Sequence, residues 1–400
     1  MTLLLTGATG FVGMELLARL VRSPEASQPV VALIRADDDA HATRRLHETL
    51  RSVFGAVAPY AARVTAVAGD LERPGLGIDP GLAESVTDIV HGAASVSFEL
   101  SLHRSRAINV EGTRRVLAFA ARCRRLRRLT YVSTAYVAGE HRGVFGEDDL
   151  DLGQRFRNPY ERSKFEAERL VRAAAASGLP VTITRPSIVV GDRHSGWTAS
   201  FNVLYWPLRA LAKGAYPILP ARRDAPVDVV SIDYVADAIC ALHRMPAAES
   251  GTFHLTASEH ASSIGELLDL AVERFECRRP PLVSPALYRR TVHPLAVHAG
   301  PARRRRFLRA TTVYLPYFAM RVRYDDARTR AALGPAITPA PLHTYFDRLV
   351  DYALLARWGA RPIGRAGALD ALPLRHSGAA SLAGVRARRP CRTPTSEVRR

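Results

Sequence analysis

Lysine is almost missing from this chain. Lys164 and Lys213 are the two lysines among 400 residues, and every other cation of the 56 basic residues is an arginine. Against 38 acidic residues this leaves a net charge of +18, a balance that first suggests nucleic acid. The arginines are spread along an alanine-rich chain, so they read as a compositional habit, and no nucleic-acid partner is expected. Local clusters, Arg303 to Arg306 and the segment beyond Arg361, read by default as solvated charged faces. The alternative is peripheral contact with an acidic membrane surface or an acidic carrier. Cysteine is also scarce. Cys123, Cys240, Cys277 and Cys391 form no close pair, which excludes a disulfide framework and zinc-ligand spacing and suits a reducing cytoplasm. No run of about 18 uncharged apolar residues is present, so no membrane-spanning helix is expected. The first strand is read from residue 2, so no leader is expected ahead of it. There is no internal repeat. Oligomeric state stays open, a homodimer included.

What is present begins with a loop, Thr6-Gly7-Ala8-Thr9-Gly10-Phe11-Val12-Gly13. An apolar strand precedes it, and apolar residues at helical spacing follow from Met14 to Val21. Glycines on a strand-to-helix turn form a dinucleotide fingerprint. Gly7 serves the tight turn, Gly10 lets backbone approach a pyrophosphate, and Gly13 lets helix pack on strand. The helix N-terminus then faces the phosphates. The Gly-x-x-Gly-x-x-Gly spacing resembles the short-chain dehydrogenase/reductase superfamily, in particular its extended branch.

Apolar strands recur at Val30 to Ile34, Val64 to Ala68, Ile89 to His91, Leu129 to Thr134 and Val181 to Pro186, alternating with helical patterns; Thr252 to Thr256 reads as one more strand. The fold class is therefore α/β, a doubly wound parallel sheet of Rossmann type. Three units are expected: a nucleotide-binding domain over 1–258 with a substrate-lobe insertion near 192–226, a smaller, mostly helical C-terminal lobe over 259–361, and a basic, disordered tail over 362–400. The stretch from Trp197 to Leu219 reads equally as a helix lining an apolar pocket or as core under a second lobe. Arg35 ends strand two, where an acid would select NAD and an arginine can hold the 2′-phosphate of NADP(H). Arg45 can add a second guanidinium, while Asp37, Asp38 and Asp39 offer a competing ribose ligand. Asp70 ends strand three, either against the adenine or as an ordinary turn. His91 reads as a packed histidine without a catalytic role.

Thr134, Tyr160 and Lys164 are the expected catalytic residues. Tyr160 and Lys164 stand four apart and share one helical face. A phenol hydrogen-bonded to a carbonyl oxygen can stabilise the charge that hydride arrival leaves there and can supply a proton. A nearby ammonium would lower the phenol and hold the nicotinamide ribose, and Thr134 would give a second hydrogen bond.

The segments His91-Gly92-Ala93-Ala94-Ser95-Val96-Ser97-Phe98, Tyr131-Val132-Ser133-Thr134-Ala135-Tyr136-Val137-Ala138-Gly139 and Arg185-Pro186-Ser187-Ile188-Val189-Val190-Gly191-Asp192 resemble the thioester reductase and fatty acyl-CoA reductase branch, the male sterility type of NAD-binding domain. The resemblance covers about residues 1–260. It implies an acyl thioester substrate, on coenzyme A or a carrier protein, reduced with NADPH to an aldehyde or an alcohol. It also implies cofactor contacts from Thr6, Gly7, Thr9, Gly10, Phe11, Val12, Gly13, Arg35, Arg45, Asp70, Leu71, Ala93, Asn109, Ser133, Tyr160, Lys164, Pro186, Ser187 and Ile188. The rival readings are another extended short-chain enzyme, a hydroxysteroid dehydrogenase or a nucleotide-sugar epimerase or dehydratase, and a non-catalytic NADP-binding regulator. The intact Tyr160/Lys164 pair speaks against the regulator.

Overall fold

The computed structural model describes residues 1–22, 28–201, 203–246, 250–291 and 312–372. Seven strands form one parallel sheet: β1 (Thr2–Thr6), β2 (Val30–Ile34), β3 (Val64–Ala68), β4 (Val86–His91), β5 (Arg128–Val132), β6 (Val181–Pro186) and β7 (Thr252–Leu255). Their order is β7-β6-β5-β4-β1-β2-β3. Strands this apolar suit a sheet covered on both faces. One face carries the helices α1 (Phe11–Arg22), α2 (Asp39–Phe54) and α5 (Ile232–Arg244); the other carries α3 (Leu102–Arg122) and α4 (Pro159–Ala176). Strand order reverses between β1 and β4, and in such sheets ligands bind beyond the carboxyl ends of the strands at that point.

Helix starts follow local chemistry. Asp38 caps α2, Ser101 caps α3 and Asn158 caps α4, each side chain accepting a backbone N–H of the first turn. Pro159 then opens α4 with a backbone angle already suited to it. The capping of α4 fixes where Tyr160 and Lys164 point.

The second lobe packs Tyr205–Ala212, Ile264–Phe275 and Phe346–Leu355 around Leu208, Leu268 and Leu349. The stretch from Trp197 to Leu219 turns out to serve both expected purposes. Only Tyr205–Ala212 is helical, and Leu204, Leu208 and Leu211 line a cavity, whereas Trp197 is core against Tyr352 and Ala356. Gly196 makes that division, with φ at +71° in a turn pressed against the helix Phe346–Leu355. A Cβ there would overlap the Arg348 carbonyl oxygen. Gly196→Ala should therefore lower stability by about 2 kcal/mol or more, read as a lower midpoint in urea. An unchanged midpoint would show that the turn and helix give way freely.

Two expected boundaries shift. The C-terminal lobe does not hold everything after 259: Arg321–Tyr324 pairs in parallel with Arg142–Phe145, and helix Ala327–Leu333 follows it back to the sheet. The buried Glu147 carboxylate fastens this return, accepting from the backbone N–H of His254 at 2.9 Å, of Arg328 at 2.7 Å and of Thr329 at 3.2 Å. Nor does structure stop at 362. Arg365–Ala371 is a helix with Ala368 fully buried, Arg365 lies 3.3 Å from Glu15 of α1, and Tyr352 donates to the Ile363 carbonyl at 2.6 Å. Apolar periodicity missed this helix because it is short and its contact is made by alanine. The basic tail from 373 and the cluster Arg303 to Arg306 lie outside the described residues. Among the described residues, no helix is long and apolar enough to cross a membrane, and no cluster of His, Cys, Asp and Glu could hold a metal.

Candidate active site

The carboxyl ends of β1, β4, β5 and β6 converge beside the start of α4. At the end of β1, Gly7 holds φ at +81°, and a Cβ on it would lie 2.7 Å from the Ala93 backbone nitrogen. A Cβ on Gly13 would collide with the Gly7 carbonyl oxygen. The loop is thus drawn tight beneath, while Gly10 is exposed and its N–H closes the turn onto the Gly7 carbonyl at 2.9 Å. This cradle fits a pyrophosphate: its outer face is bare backbone, and the first N–H groups of α1, at Phe11, Val12 and Gly13, open toward it. Thr9 sits on the same turn. Thr6, by contrast, is buried behind the loop, where its hydroxyl accepts from the Ala93 N–H at 3.2 Å.

At the end of β2, Arg35 is exposed, and its carbonyl accepts from Arg45. The neighbouring acids have structural duties. Asp38 accepts from the His41 N–H at 2.6 Å, Asp39 from the Ala68 N–H at 2.7 Å, and Asp37 lies 3.4 Å from the His41 imidazole. Asp70 accepts from the Glu72 N–H at 2.9 Å through Oδ1. Leu71 is buried behind it, its carbonyl taking Arg115 at 3.0 Å. Asn109 grips the loop after β4, accepting from the Ser95 N–H at 2.8 Å and donating to Ser163 at 2.9 Å.

Thr134 follows β5 and stands near enough to the Tyr160 phenol to act on it. Its hydroxyl accepts from the Tyr136 N–H at 3.2 Å and donates to the Pro186 carbonyl at 3.4 Å. Ser187 and Ile188 continue from Pro186, Ser187 donating its N–H to the Leu255 carbonyl at 3.2 Å and Ile188 reaching the cavity wall. Burial pushes the Tyr160 phenol up to about 12, with Thr134 opposing and Glu161 adding to the rise. Lys164 donates to the Tyr131 hydroxyl at 2.8 Å and to the Val132 carbonyl at 2.9 Å. Burial brings it down to about 7, against the pull of Glu168. The expected lowering of Tyr160 by Lys164 is not seen in this arrangement. The lysine turns toward Tyr131, and burial leaves it only partly charged near neutral pH.

Beneath both lies a buried ion pair. Burial works against the Glu168 charge, but Arg185 at 2.6 Å, Ser133 at 2.6 Å and Arg172 at 3.2 Å outweigh it and hold the carboxyl below the usual range. Ser133 is thereby committed to Glu168. Arg185 also donates to the Asp149 carbonyl at 2.6 Å and to His254 at 3.0 Å. This clamp joins α4 to β5, β6 and β7.

Sequence reasoning missed the aromatic rim. Phe98 packs on Tyr160 with ring centroids 5.6 Å apart and stacks on Tyr317 at 5.5 Å, and Tyr317 meets Tyr136 edge-on at 5.2 Å. Tyr317 donates to Glu161 at 2.6 Å and accepts from Asn158 at 2.7 Å, so residues far along the chain brace the start of α4. The signal was present as the run Tyr314-Leu315-Pro316-Tyr317-Phe318, which carries no period to read. Past this rim, from Tyr136 and Ile188 inward, opens a cavity walled by Leu204, Leu208, Leu211, Leu219, Val227, Ile264, Leu268, Phe318 and Met320. Asp228 is its one charged lining residue, and its oxygens are occupied by the N–H groups of Ala257 at 2.8 Å and Ser258 at 3.1 Å.

Known proteins resemble this chain in sequence and fold. Residues 5–239 match the family described as male sterility protein. An isonitrile lipopeptide synthase of Streptomyces coeruleorubidus is 41% identical over 215 residues, 52% of this chain and 14% of that protein. A fatty acyl-CoA reductase of Drosophila melanogaster is 28% identical over 274 residues, 59% of this chain and 53% of that one. The chain thus spans about a seventh to a half of these relatives. Among solved structures, the terminal R domain from the myxalamid PKS-NRPS biosynthetic pathway has a TM-score of 0.77 at 28% identity, covering 90% of this chain and 92% of that domain. The reductase domain of a nonribosomal peptide synthetase from Mycobacterium tuberculosis has a TM-score of 0.65 at 26% identity, covering 89% and 92%. With well over half its length matched and the glycine cradle formed, the chain belongs to the male sterility family of extended short-chain dehydrogenases/reductases, which are nicotinamide-dependent oxidoreductases.

Proposed function

We propose that this protein reduces an acyl thioester, carried on coenzyme A or an acyl carrier protein, with NADPH, giving an aldehyde or, after a second reduction, an alcohol. The observation that carries this reading is the buried Tyr160 phenol with Thr134 beside it, set between the glycine cradle and the mouth of an apolar cavity. The similarity to reductase domains of peptide synthetases and to a fatty acyl-CoA reductase supports it.

When bound, the nicotinamide supplies the hydride. The remaining work falls to side chains. With its phenol at about 12, Tyr160 is protonated at neutral pH and can donate to the thioester carbonyl oxygen, where charge develops. Thr134 gives the second donor. The proton passes from the Tyr160 oxygen to the substrate oxygen, leaving a hemithioacetal, which then loses the thiol and becomes the aldehyde. Lys164 holds the ribose hydroxyls, Asn109 keeps the Ser95 loop in place, and the acyl chain enters the cavity past Tyr136 and Ile188. The assay is NADPH oxidation with acyl-CoAs of graded length, with ketosteroids and nucleotide sugars as controls. Turnover of a control in place of every thioester would overturn the reading.

The preference for NADPH rests on Arg35, since two of the nearby acids are tied into the helix cap and β3. A guanidinium contact with phosphate contributes about 1.5–3 kcal/mol. Arg35→Ala should therefore weaken NADPH binding by about 10- to 100-fold and barely change NADH binding, both read by cofactor fluorescence. Equal losses for both cofactors, or tighter NADH binding by the unaltered protein, would end the assignment.

A further inference from the structure

We infer that Tyr131 is a positioning residue for Lys164, its buried hydroxyl taking the hydrogen bond that fixes where the ammonium sits. This rests on the reading that Lys164 serves the reaction. The surroundings of Tyr131 include Thr6 on β1, His91 on β4 and Thr113 on α3, which with Tyr131 on β5 and Lys164 on α4 are all nearly inaccessible to solvent. His91 lies 2.7 Å from Thr6 through Nδ1 and 3.1 Å from Thr113 through Nε2. The Tyr131 ring packs on His91 with centroids 5.6 Å apart, and its hydroxyl receives Lys164 at 2.8 Å.

The direction of the His91 bonds follows from one hydroxyl. Thr113 donates its proton to the Asn109 carbonyl at 2.6 Å, so it can only accept from its other partners. His91 must then donate from Nε2, which leaves Nδ1 to accept the Thr6 proton, while Thr6 accepts from the Ala93 N–H. The Lys164 ammonium has donors only, so at 2.8 Å the Tyr131 hydroxyl is the acceptor, the polarity a buried ammonium needs. The Thr6–His91–Thr113 run joins the phosphate loop to α3 through side chains alone, which accounts for the buried polar residues His91 and Thr113 inside an apolar sheet face.

Other groups bearing on Lys164 are Glu168 one turn along α4, His91 on β4 and the Val132 carbonyl on β5; Arg185 on β6 is engaged by Glu168. Glu168 favours the charged lysine. His91 is held neutral and contributes no competing charge: burial and Lys164 lower it to about 3.

The scarcity of lysine makes the test direct. Protein labelled with [13Cε]lysine has two lysine signals, and Lys213→Arg removes one to assign the other. Without cofactor, the Lys164 signal should titrate with a midpoint near 7. Tyr131→Phe keeps the ring and deletes the acceptor, so the midpoint should fall by about one to two pH units. The basic limb of the pH profile for thioester reduction should move down with it, an effect that loss of packing alone does not produce. An unchanged midpoint in Tyr131→Phe overturns the inference. If instead Lys164→Ala keeps normal turnover and NADPH affinity, it is the proposed role of Lys164 that fails, whatever the titration shows.

Discussion

Replacing Tyr160 with phenylalanine should leave NADPH binding intact and cut turnover of an acyl thioester by about 10²- to 10⁴-fold, the usual worth of a general acid. The phenol oxygen is needed where charge develops on the substrate, so its loss acts on the transition state rather than on cofactor affinity. Thr134→Ala removes one donor and leaves the other, and should fall between the two. Lys164→Ala should damage both turnover and NADPH binding, because the lysine has a cofactor to hold as well as a proton donor to support. Turnover and cofactor fluorescence, measured separately, distinguish these patterns. Near-native turnover by Tyr160→Phe would place the proton donor on another residue and end the Thr134/Tyr160 mechanism.

Acid should unfold this protein well before its carboxylates are all protonated. Three buried histidines are held neutral. Burial lowers His91 to about 3, His243 to about 4 and His254 to about 3, with Lys164 adding to the first and Arg185 to the last, while Asp88 partly opposes at His243. Their folded values lie below the unfolded value of about 6.5, so the unfolded chain binds more protons beneath that pH. The stability they contribute is complete above about pH 6.5 and is lost as pH falls toward 3–4. Each contributes about 1.4 kcal/mol per pH unit, or about 4 kcal/mol per unit for the three together. Asp228, raised by burial to about 6, works the other way and offsets about a third of this below pH 6. Against a typical total of 5–15 kcal/mol, two pH units remove much of the fold's margin. Urea midpoints at pH 7, 6 and 5 should fall steeply, and His243→Gln should flatten the slope. A midpoint that stays level across this range would contradict the burial of these rings.

The nucleotide-binding half was legible because its signals are local. Glycines at fixed offsets, apolar strands and the four-residue step from Tyr160 to Lys164 each lie within one turn or one element. The second half was not legible for the opposite reason. Tyr317 matters through Asn158 and Glu161, and Arg321 through Arg142, pairings between residues more than 150 positions apart that leave no periodicity behind. Thr6 and Ser133 show a subtler limit. They stand where the motif puts them, but their hydroxyls face inward, to His91 and Glu168, because the strand ends that display a loop also need buried partners. His91 reads as packed, and it is packed, yet its two nitrogens link elements that sequence spacing does not connect.

The pairing of Arg142–Phe145 with Arg321–Tyr324 also bears on how the chain is made. A ribosome adding about 5–20 residues per second needs roughly ten to forty seconds to reach the second strand after the first has emerged. Through that interval Glu147 lacks its eventual partners at Arg328 and Thr329, and the strand beside it is an open edge. The nucleotide-binding half therefore cannot finish as a unit during synthesis. Its last contacts must wait for sequence that lies beyond the second lobe, and the exposed Arg142 at the start of that edge is the kind of charge that discourages a neighbouring nascent chain from pairing there first.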